Sequence, residues 1–336
     1  MTRGYPATRT LARRLRRMGC RDGSRCEDVQ IVERSPDERS SSFPSEIVTV
    51  RLGSGTTLTL RCKYSPPNRR QPPTWHTANG HRHGVAYEGR VYGQVLEPLG
   101  MTTPHMWGTC EAQHGGGWLA IEYLDGCIRI GSLPWELKNA ASWIAEFHIR
   151  NEKRLPDPAI QFLSTYSADY YRGWARRTLA QAWRYRREYP PIESLEDTCE
   201  RAIAALLEPP LTIIHGEYYP ANVLWRGHAV HPIDWESAAI AAGEIDLASL
   251  TDEWPPDSVA ECQAAYCRTR WPGGFDEPQF ARRLSAARLY LILRWAGVPN
   301  AFKRPTDRRY YLRRISQAID RFRQHHGECI SVAAAS

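Results

Sequence analysis

Three oxygen-bearing side chains stand close together in the stretch Leu211–Ala248, LTIIHGEYYPANVLWRGHAVHPIDWESAAIAAGEIDLA. An apolar run, Leu211–Ile214, leads into His215-Gly216-Glu217. Asn222 follows five residues after Glu217, and Pro232-Ile233-Asp234-Trp235-Glu236 comes shortly after. The order predicts a strand, a loop carrying Glu217 and Asn222, a short hairpin around Trp225–Ile233, and Asp234 delivered at its end. A carboxylate, an amide and a second carboxylate converging on one site are the groups that phosphoryl transfer uses. One carboxylate orients the acceptor hydroxyl, while Asn and Asp oxygens hold magnesium against the phosphates. Magnesium prefers hard oxygen ligands and keeps several waters, so two protein ligands fit it better than a full cage.

The pattern resembles the aminoglycoside phosphotransferase and choline-kinase-like family, which carries HGDxxxxN, then a short strand and IDWE. Here the sequence reads His215-Gly216-Glu217, then Asn222, then Ile233-Asp234-Trp235-Glu236. The resemblance implies an α+β, bilobal protein-kinase-like fold, with an antiparallel sheet in the N-terminal lobe and a helical C-terminal lobe. It implies catalytic roles for Glu217, Asn222 and Asp234, with Asn222 and Asp234 binding Mg2+. ATP or GTP would be the donor and a hydroxyl-bearing compound the acceptor. Asp246, in Ile245-Asp246-Leu247-Ala248, corresponds to a loop-bracing carboxylate; read from local chemistry, it is equally a helix N-terminal charge. His148, in Ile144-Ala145-Glu146-Phe147-His148, matches a helix that packs below the catalytic loop. The departure is Glu217, where the family has Asp. One extra methylene moves the carboxylate by about 1.5 Å. A misplacement on that scale costs on the order of 100-fold in rate, although a loose transition state asks less of the base.

These groups need a frame. Asp28–Ser35 has strand character, and Glu46–Leu52 and Thr56–Lys63 read as strands joined by the turn Gly53-Ser54-Gly55. Alternation in the third strand puts Leu58, Leu60 and Cys62 on one face and Thr59, Arg61 and Lys63 on the other. A kinase needs a lysine here for the α- and β-phosphates, itself held by a helix glutamate. Lys63 is the first of only four lysines, and Glu88 lies on the next expected helix, Val85–Leu96. Arg61 shares the face of Lys63, where an apolar residue usually lies beside the nucleotide base. Ser40, Ser41 and Ser42 occupy the place of the phosphate-covering loop, where hydroxyls and backbone N–H groups can cradle phosphate. Strands are expected near His105–Cys110 and Trp118–Leu124. Within Glu122-Tyr123-Leu124-Asp125-Gly126, the residues Glu122, Tyr123 and Leu124 resemble the hinge strand that binds adenine through its backbone.

After Gly126 the periodicity becomes helical: Trp135–Asn151, Ser167–Glu188, Ser194–Leu207, Ser258–Arg270, Glu277–Trp295 and Asp307–His325 are the expected helices. The chain thus reads as a basic N-terminal arm, 1–27, a nucleotide-binding lobe, 28–125, and a helical lobe with catalytic loop and acceptor site, 126–336. In the arm, Leu11, Leu15 and Met18 share a helix face.

At 42% hydrophobic and 24% charged, the 336 residues are too apolar for a disordered chain. No apolar run reaches the roughly 20 residues of a membrane span, and the Arg-rich start lacks the apolar block of a secretory signal. Nine cysteines at irregular spacing read as reduced cytosolic thiols. The net charge of +7 comes almost wholly from arginine, a bias that fits a GC-rich bacterial genome. No nucleic-acid-binding motif accompanies it. The Tyr, Trp and Arg of Tyr166–Tyr189 suit the apolar face of an amphipathic helix, and the loop histidines His76, His81 and His83 lack acidic partners for a metal. Three functions stay open: a kinase for a small hydroxylated molecule; a Ser/Thr peptide kinase working with a partner lyase in lanthipeptide-like biosynthesis; and a non-catalytic nucleotide-binding scaffold, because of Glu217.

Overall fold

The computed structural model describes residues 5–19, 28–37, 43–65, 80–112 and 116–325. In chain order the elements are α1 Thr8–Met18, β1 Val29–Pro36, β2 Ser45–Leu52, β3 Thr57–Ser65, α2 Val85–Arg90, β4 Met106–Ala112, β5 Gly116–Glu122 and β6 Ile128–Arg129. There follow α3 Leu137–Glu152, β7 Ser164–Thr165, α4 Ala168–Ala182, α5 Leu195–Leu207, β8 Thr212–Ile214, β9 Val223–Arg226, β10 Ala229–Pro232 and β11 Ala239–Ala241. The last are α6 Glu244–Leu250, α7 Pro256–Arg270, α8 Glu277–Ala296 and α9 Pro305–His325. They fall into two compact units, Met1–Arg129 with Asn222–Ser237, and Ile130–Ala221 with Ala238–Ser336.

The first unit is built on an antiparallel sheet in the order β1-β2-β3-β5-β4. Gly55 supplies the positive φ, +88°, that closes the β2–β3 turn, where Leu52 N–H donates to Thr56 O at 2.8 Å. The helix of the basic arm belongs to this core. Leu11, Leu15 and Met18 of α1 are buried with Val48, Val50, Leu60, Cys62 and Ala120, and Trp107 Nε1 donates to Leu15 O at 3.0 Å. Helix α2 continues into a π-helical turn, Val91–Leu96. Gly89 lets α2 lie on β4, since a Cβ there would collide with Thr109. A second small sheet, β10-β9-β6, completes the unit. Its β9–β10 hairpin turns on Gly227 and His228, with φ +56° and +64°. Two positive φ values in a two-residue loop make a type I′ turn, the one whose twist matches paired strands.

The second unit is helical, with one short sheet, β7-β11-β8. Ser167 and Asp276 cap α4 and α8 by accepting from Tyr170 N–H and Gln279 N–H. The segment expected as one helix to Glu188 leaves the α conformation after Ala182 for a 3₁₀ turn, Trp183–Tyr185. Its aromatic residues split accordingly: Tyr170, Tyr171 and Trp174 are buried, Trp183 is exposed. Among the described residues no helix is long and apolar enough to cross a membrane.

Candidate active site

In the first unit, alternation along β3 turns Lys63 toward α2, and the two elements close an ion pair. Lys63 Nζ lies 2.8 Å from both carboxylate oxygens of Glu88 and 2.5 Å from Asp234 Oδ1. Lys63 and Glu88 are buried, 5% and 0% exposed. Burial works against the ammonium charge, but Asp234 and Glu88 outweigh it and hold the pKa above the usual lysine value. Arg61, two residues back on the same face, pairs with Asp37 at 2.8 Å and reaches Asp234 Oδ1 at 3.5 Å. The charge of Arg61, noted at this strand position in the sequence, is thus held by two carboxylates.

The β9–β10 hairpin sets the two candidate metal ligands side by side. Val223 pairs with Pro232, so the residues just outside the ladder are Asn222 and Ile233, and Ile233 N–H donates to Asn222 O at 2.9 Å. Asp234 is the next residue. It takes a left-handed backbone, φ +64°, a conformation that Asp tolerates better than most side chains. Asn222 is nearly buried, and the Asp234 side chain is 30% exposed. One amide and one carboxylate form a hard-oxygen donor set that suits magnesium completed by phosphate oxygens and water. Among the described residues no group of three or more His, Cys, Asp or Glu could cage a metal. His83 instead stacks on Tyr87, and His81 is buried.

In the second unit, the loop after β8 is braced from below. Asp246, in the first turn of α6, accepts from His215 N–H at 2.7 Å and Gly216 N–H at 2.9 Å. His148 of α3 lies 3.1 Å from Asp246 Oδ2 through Nε2 and 2.9 Å from Tyr266 Oη through Nδ1. Burial holds His148 well below its usual pKa, with Arg270 adding to the effect. The neutral ring then donates from Nε2 to Asp246 and accepts from Tyr266 O–H, while Arg270 Nη1 donates to Tyr266 at 2.9 Å. Burial pushes the Asp246 carboxyl up to about 7, against the two amide bonds and Arg270. Of the two readings open for Asp246, its side chain serves the loop. His148 does what a supporting residue does and ties α3 to that brace.

Glu217 leaves this loop buried, 2% exposed. Its Oε1 accepts from Arg294 Nη1 of α8 at 2.8 Å, and Arg294 is itself 4% exposed. Burial opposes the guanidinium charge, yet Glu217 and the surrounding tyrosines more than offset it and raise its pKa. Arg294 was missed in the sequence. The signal was a single arginine in the apolar run LYLILRWA, since a charge buried there demands a partner.

The remaining expected residues lie as follows. Glu122 bonds through its side chain to Arg226 Nη1 at 3.0 Å and His105 N–H at 3.2 Å. Tyr123 N–H donates to Thr59 O at 2.9 Å, and Leu124 is buried. Ser40, Ser41, Ser42 and His76 lie outside the described residues. The residues expected to hold the nucleotide and metal, Lys63, Glu88, Glu122, Tyr123, Leu124, Asn222 and Asp234, all belong to the first unit, and Glu217 belongs to the second.

A choline kinase from Cryptosporidium parvum Iowa II has a similar structure, with TM-score 0.61 and 11% identity, over 95% of this chain and 96% of that one. A spectinomycin phosphotransferase, APH(9)-Ia, solved with ADP and spectinomycin, gives TM-score 0.55 and 13% identity, over 96% and 99%. A macrolide 2′-phosphotransferase from Brachybacterium faecium gives TM-score 0.51 and 18% identity, over 86% and 94%. At such identities these likenesses establish a protein-kinase-like fold. No curated protein matches the sequence. The sequence model of the phosphotransferase enzyme family (APH) matches residues 77–284, more than half of the 336. With its phosphotransferase motifs held on that fold, the chain belongs to the phosphotransferase enzyme family.

Proposed function

We propose that this protein transfers the γ-phosphoryl group of ATP, or of GTP, to a hydroxyl group of a small molecule. The observation that carries the reading is the Lys63 ammonium, held by both oxygens of Glu88 and touching Asp234. It gathers on one unit the cation, the supporting glutamate and the hard-oxygen ligand that a triphosphate needs. Lys63 receives the α- and β-phosphates, fixed in place by Glu88. Asn222 and Asp234 hold Mg2+, which when bound neutralises phosphate charge and fixes the orientation of the triphosphate. The backbone of Glu122, Tyr123 and Leu124 receives the base, and the hydroxyls of Ser40, Ser41 and Ser42 cover the phosphates. Glu217 orients the acceptor.

In the transfer, the acceptor oxygen bonds to the γ-phosphorus as the bond to the β,γ-bridging oxygen breaks. The nucleoside diphosphate leaves with that electron pair, and the hydroxyl proton passes to the Glu217 carboxylate or to water. A loose transition state leaves little bond-making for the protein, so positioning and charge dominate. Nothing in this chemistry separates a free hydroxyl from that of a Ser or Thr side chain, and no observation favours a peptide with its lyase. The burial and ion pairing of Glu217 do favour one rival, a nucleotide-binding scaffold.

Glu217→Gln decides between them. The enzyme reading expects turnover to fall by roughly 100-fold while ATP affinity, measured by calorimetry, stays within about twofold, the pattern of an interaction used at the transition state. Equal phosphoryl transfer by wild type and variant would remove Glu217 from the mechanism, and no transfer by either would support the scaffold.

A further inference from the structure

The acceptor-orienting carboxylate does not stand alone. In the proposed reaction, on which this inference rests, Glu217 is the residue nearest the acceptor chemistry, and a buried arginine has taken hold of it. We propose that Arg294 is a positioning and specificity-determining residue: it fixes the Glu217 carboxylate and cancels its charge, so that the acceptor is a neutral or anionic hydroxyl compound and not a cationic one.

Length is the first argument. Glu217 stands where the family has Asp, and the extra methylene is spent on reaching Arg294 at 2.8 Å. Shortening the side chain by one C–C bond, about 1.5 Å, withdraws the carboxylate beyond ion-pair distance. Glu217 and Arg294 therefore work as a unit, which a decayed aspartate would not require.

Charge is the second. The side chains of Glu217 and Arg294 are 3% and 5% exposed, so water screens neither, and together they sum to zero. Besides Glu217, the groups that act on the Arg294 charge are tyrosines, Tyr290, Tyr219 and Tyr170 among them. Tyr290 sits one turn before it on α8, and its hydroxyl is 2.7 Å from that of Tyr170. Tyr166 stacks on Tyr170 at 3.8 Å, and Tyr171 meets Tyr290 edge-on at 5.1 Å. Burial raises all four phenols, Tyr290 to about 12 and the other three well above their usual value, so they stay neutral. A site that holds an ammonium group needs carboxylate charge left over, and here the carboxylate is matched. An acceptor carrying a carboxylate or phosphate meets a neutralised pair there and not a bare carboxylate that would repel it.

Packing is the third. The Arg294 guanidinium is buried and lies over the Trp295 ring at 5.8 Å, which restricts its rotamers, so it sets the direction of the Glu217 side chain as well as its charge.

The test is a panel of three-carbon alcohols that differ only in a terminal group: ammonium, uncharged or carboxylate. Each is offered with ATP and Mg2+ to wild type, Arg294→Gln and Arg294→Lys, with kcat and KM for acceptor and nucleotide measured separately. Wild type is expected to favour the uncharged and carboxylate members over the ammonium member by about tenfold or more in kcat/KM, the size of one moderate charge contact. Arg294→Gln should reverse the order, mainly through acceptor KM, and Arg294→Lys should keep it. The KM for ATP should not move. Preference of wild type for the ammonium member overturns the inference, and so does an unchanged order in Arg294→Gln. Wild-type selectivity decides the matter even if Arg294→Gln fails to fold. A wild type that consumes ATP but phosphorylates none of the three overturns the selectivity alone. One that neither binds nor consumes ATP overturns the phosphotransferase reading itself.

Discussion

Lys63→Met removes one charge from a buried cluster and keeps the side chain's length. Two carboxylates lose a partner, and their exposure decides what each loss costs. Asp234 is 30% exposed in its side chain and keeps Arg61 at 3.5 Å, so water and a second cation absorb the change. Glu88 is 0% exposed, and both its oxygens accept from Lys63. It is left as a buried carboxylate without its cation, and breaking such a pair from one side costs about 3–5 kcal/mol. For a unit of this size that corresponds to a loss of roughly 6–20 °C in its melting temperature. Glu88→Met should cost less, because Lys63 keeps Asp234 at 2.5 Å. The Lys63→Met/Glu88→Met double variant should recover most of the loss, because replacing both charges with apolar groups of like volume is close to neutral. Calorimetric melting of the four proteins gives the coupling energy directly, and titration with ATP separates stability from function. The double variant should melt near wild type and still bind nucleotide poorly. Additive losses, or single losses under about 1 kcal/mol, would refute the reasoning, since that is what an exposed pair gives.

Asn222→Ala and Asp234→Ala should each abolish phosphoryl transfer, with a melting temperature within a few degrees of wild type; turnover at the wild-type rate by Asp234→Ala would misassign the metal site. Asp234→Ala should be the more severe, because it removes a full charge from the magnesium ligands. Asp246 titrates near 4 when unfolded and near about 7 in the fold. Between those values the fold keeps a proton that the unfolded chain has released, so its contribution to stability falls as pH rises through the window. Lowering pH from about 7.5 to about 5.5 should therefore stabilise wild type relative to Asp246→Asn, by up to about 1.4 kcal/mol per unit, and urea unfolding showing no difference in pH dependence between the two would mean the carboxyl is ionised throughout.

What could be read from the sequence was local. The β2–β3 hairpin announced itself by glycine between alternating strands, and the long helices by apolar period. Leu11, Leu15 and Met18 declared a buried face, but the sheet that buries it is made of residues far away in the chain. Glu88 could be paired with Lys63 because strand alternation and helix order already limit the choice. Elements of two or three residues, β6, β7 and β11, carry no period to detect. The π-helical turn after α2 and the placing of 222–237 with the first unit arise from packing. Arg294 shows the limit most sharply. The sequence contains the anomaly, an arginine within LYLILRWA, but its partner lies 77 residues earlier, and only the packing of α8 against the loop after β8 brings them together.

The resemblance to aminoglycoside phosphotransferases points toward polycationic amino sugars, yet a fold does not choose its substrate. The charges argue from the residues instead. Four of the site's carboxylates meet cations of the chain itself: Glu88 and Asp234 meet Lys63, Asp37 and Asp234 meet Arg61, and Glu217 meets Arg294. Lys63 and Arg61 both contact Asp234, and in the proposed reaction a triphosphate with its metal ion would take over their charges when it binds. Glu217 is matched by Arg294, a cation as buried as Lys63 but belonging to the second unit. The donor side thus has cations that a polyanion can recruit. In the proposed reaction the acceptor meets a carboxylate whose charge Arg294 cancels, and that pairing, more than the net charge of +7, is what the panel of alcohols tests.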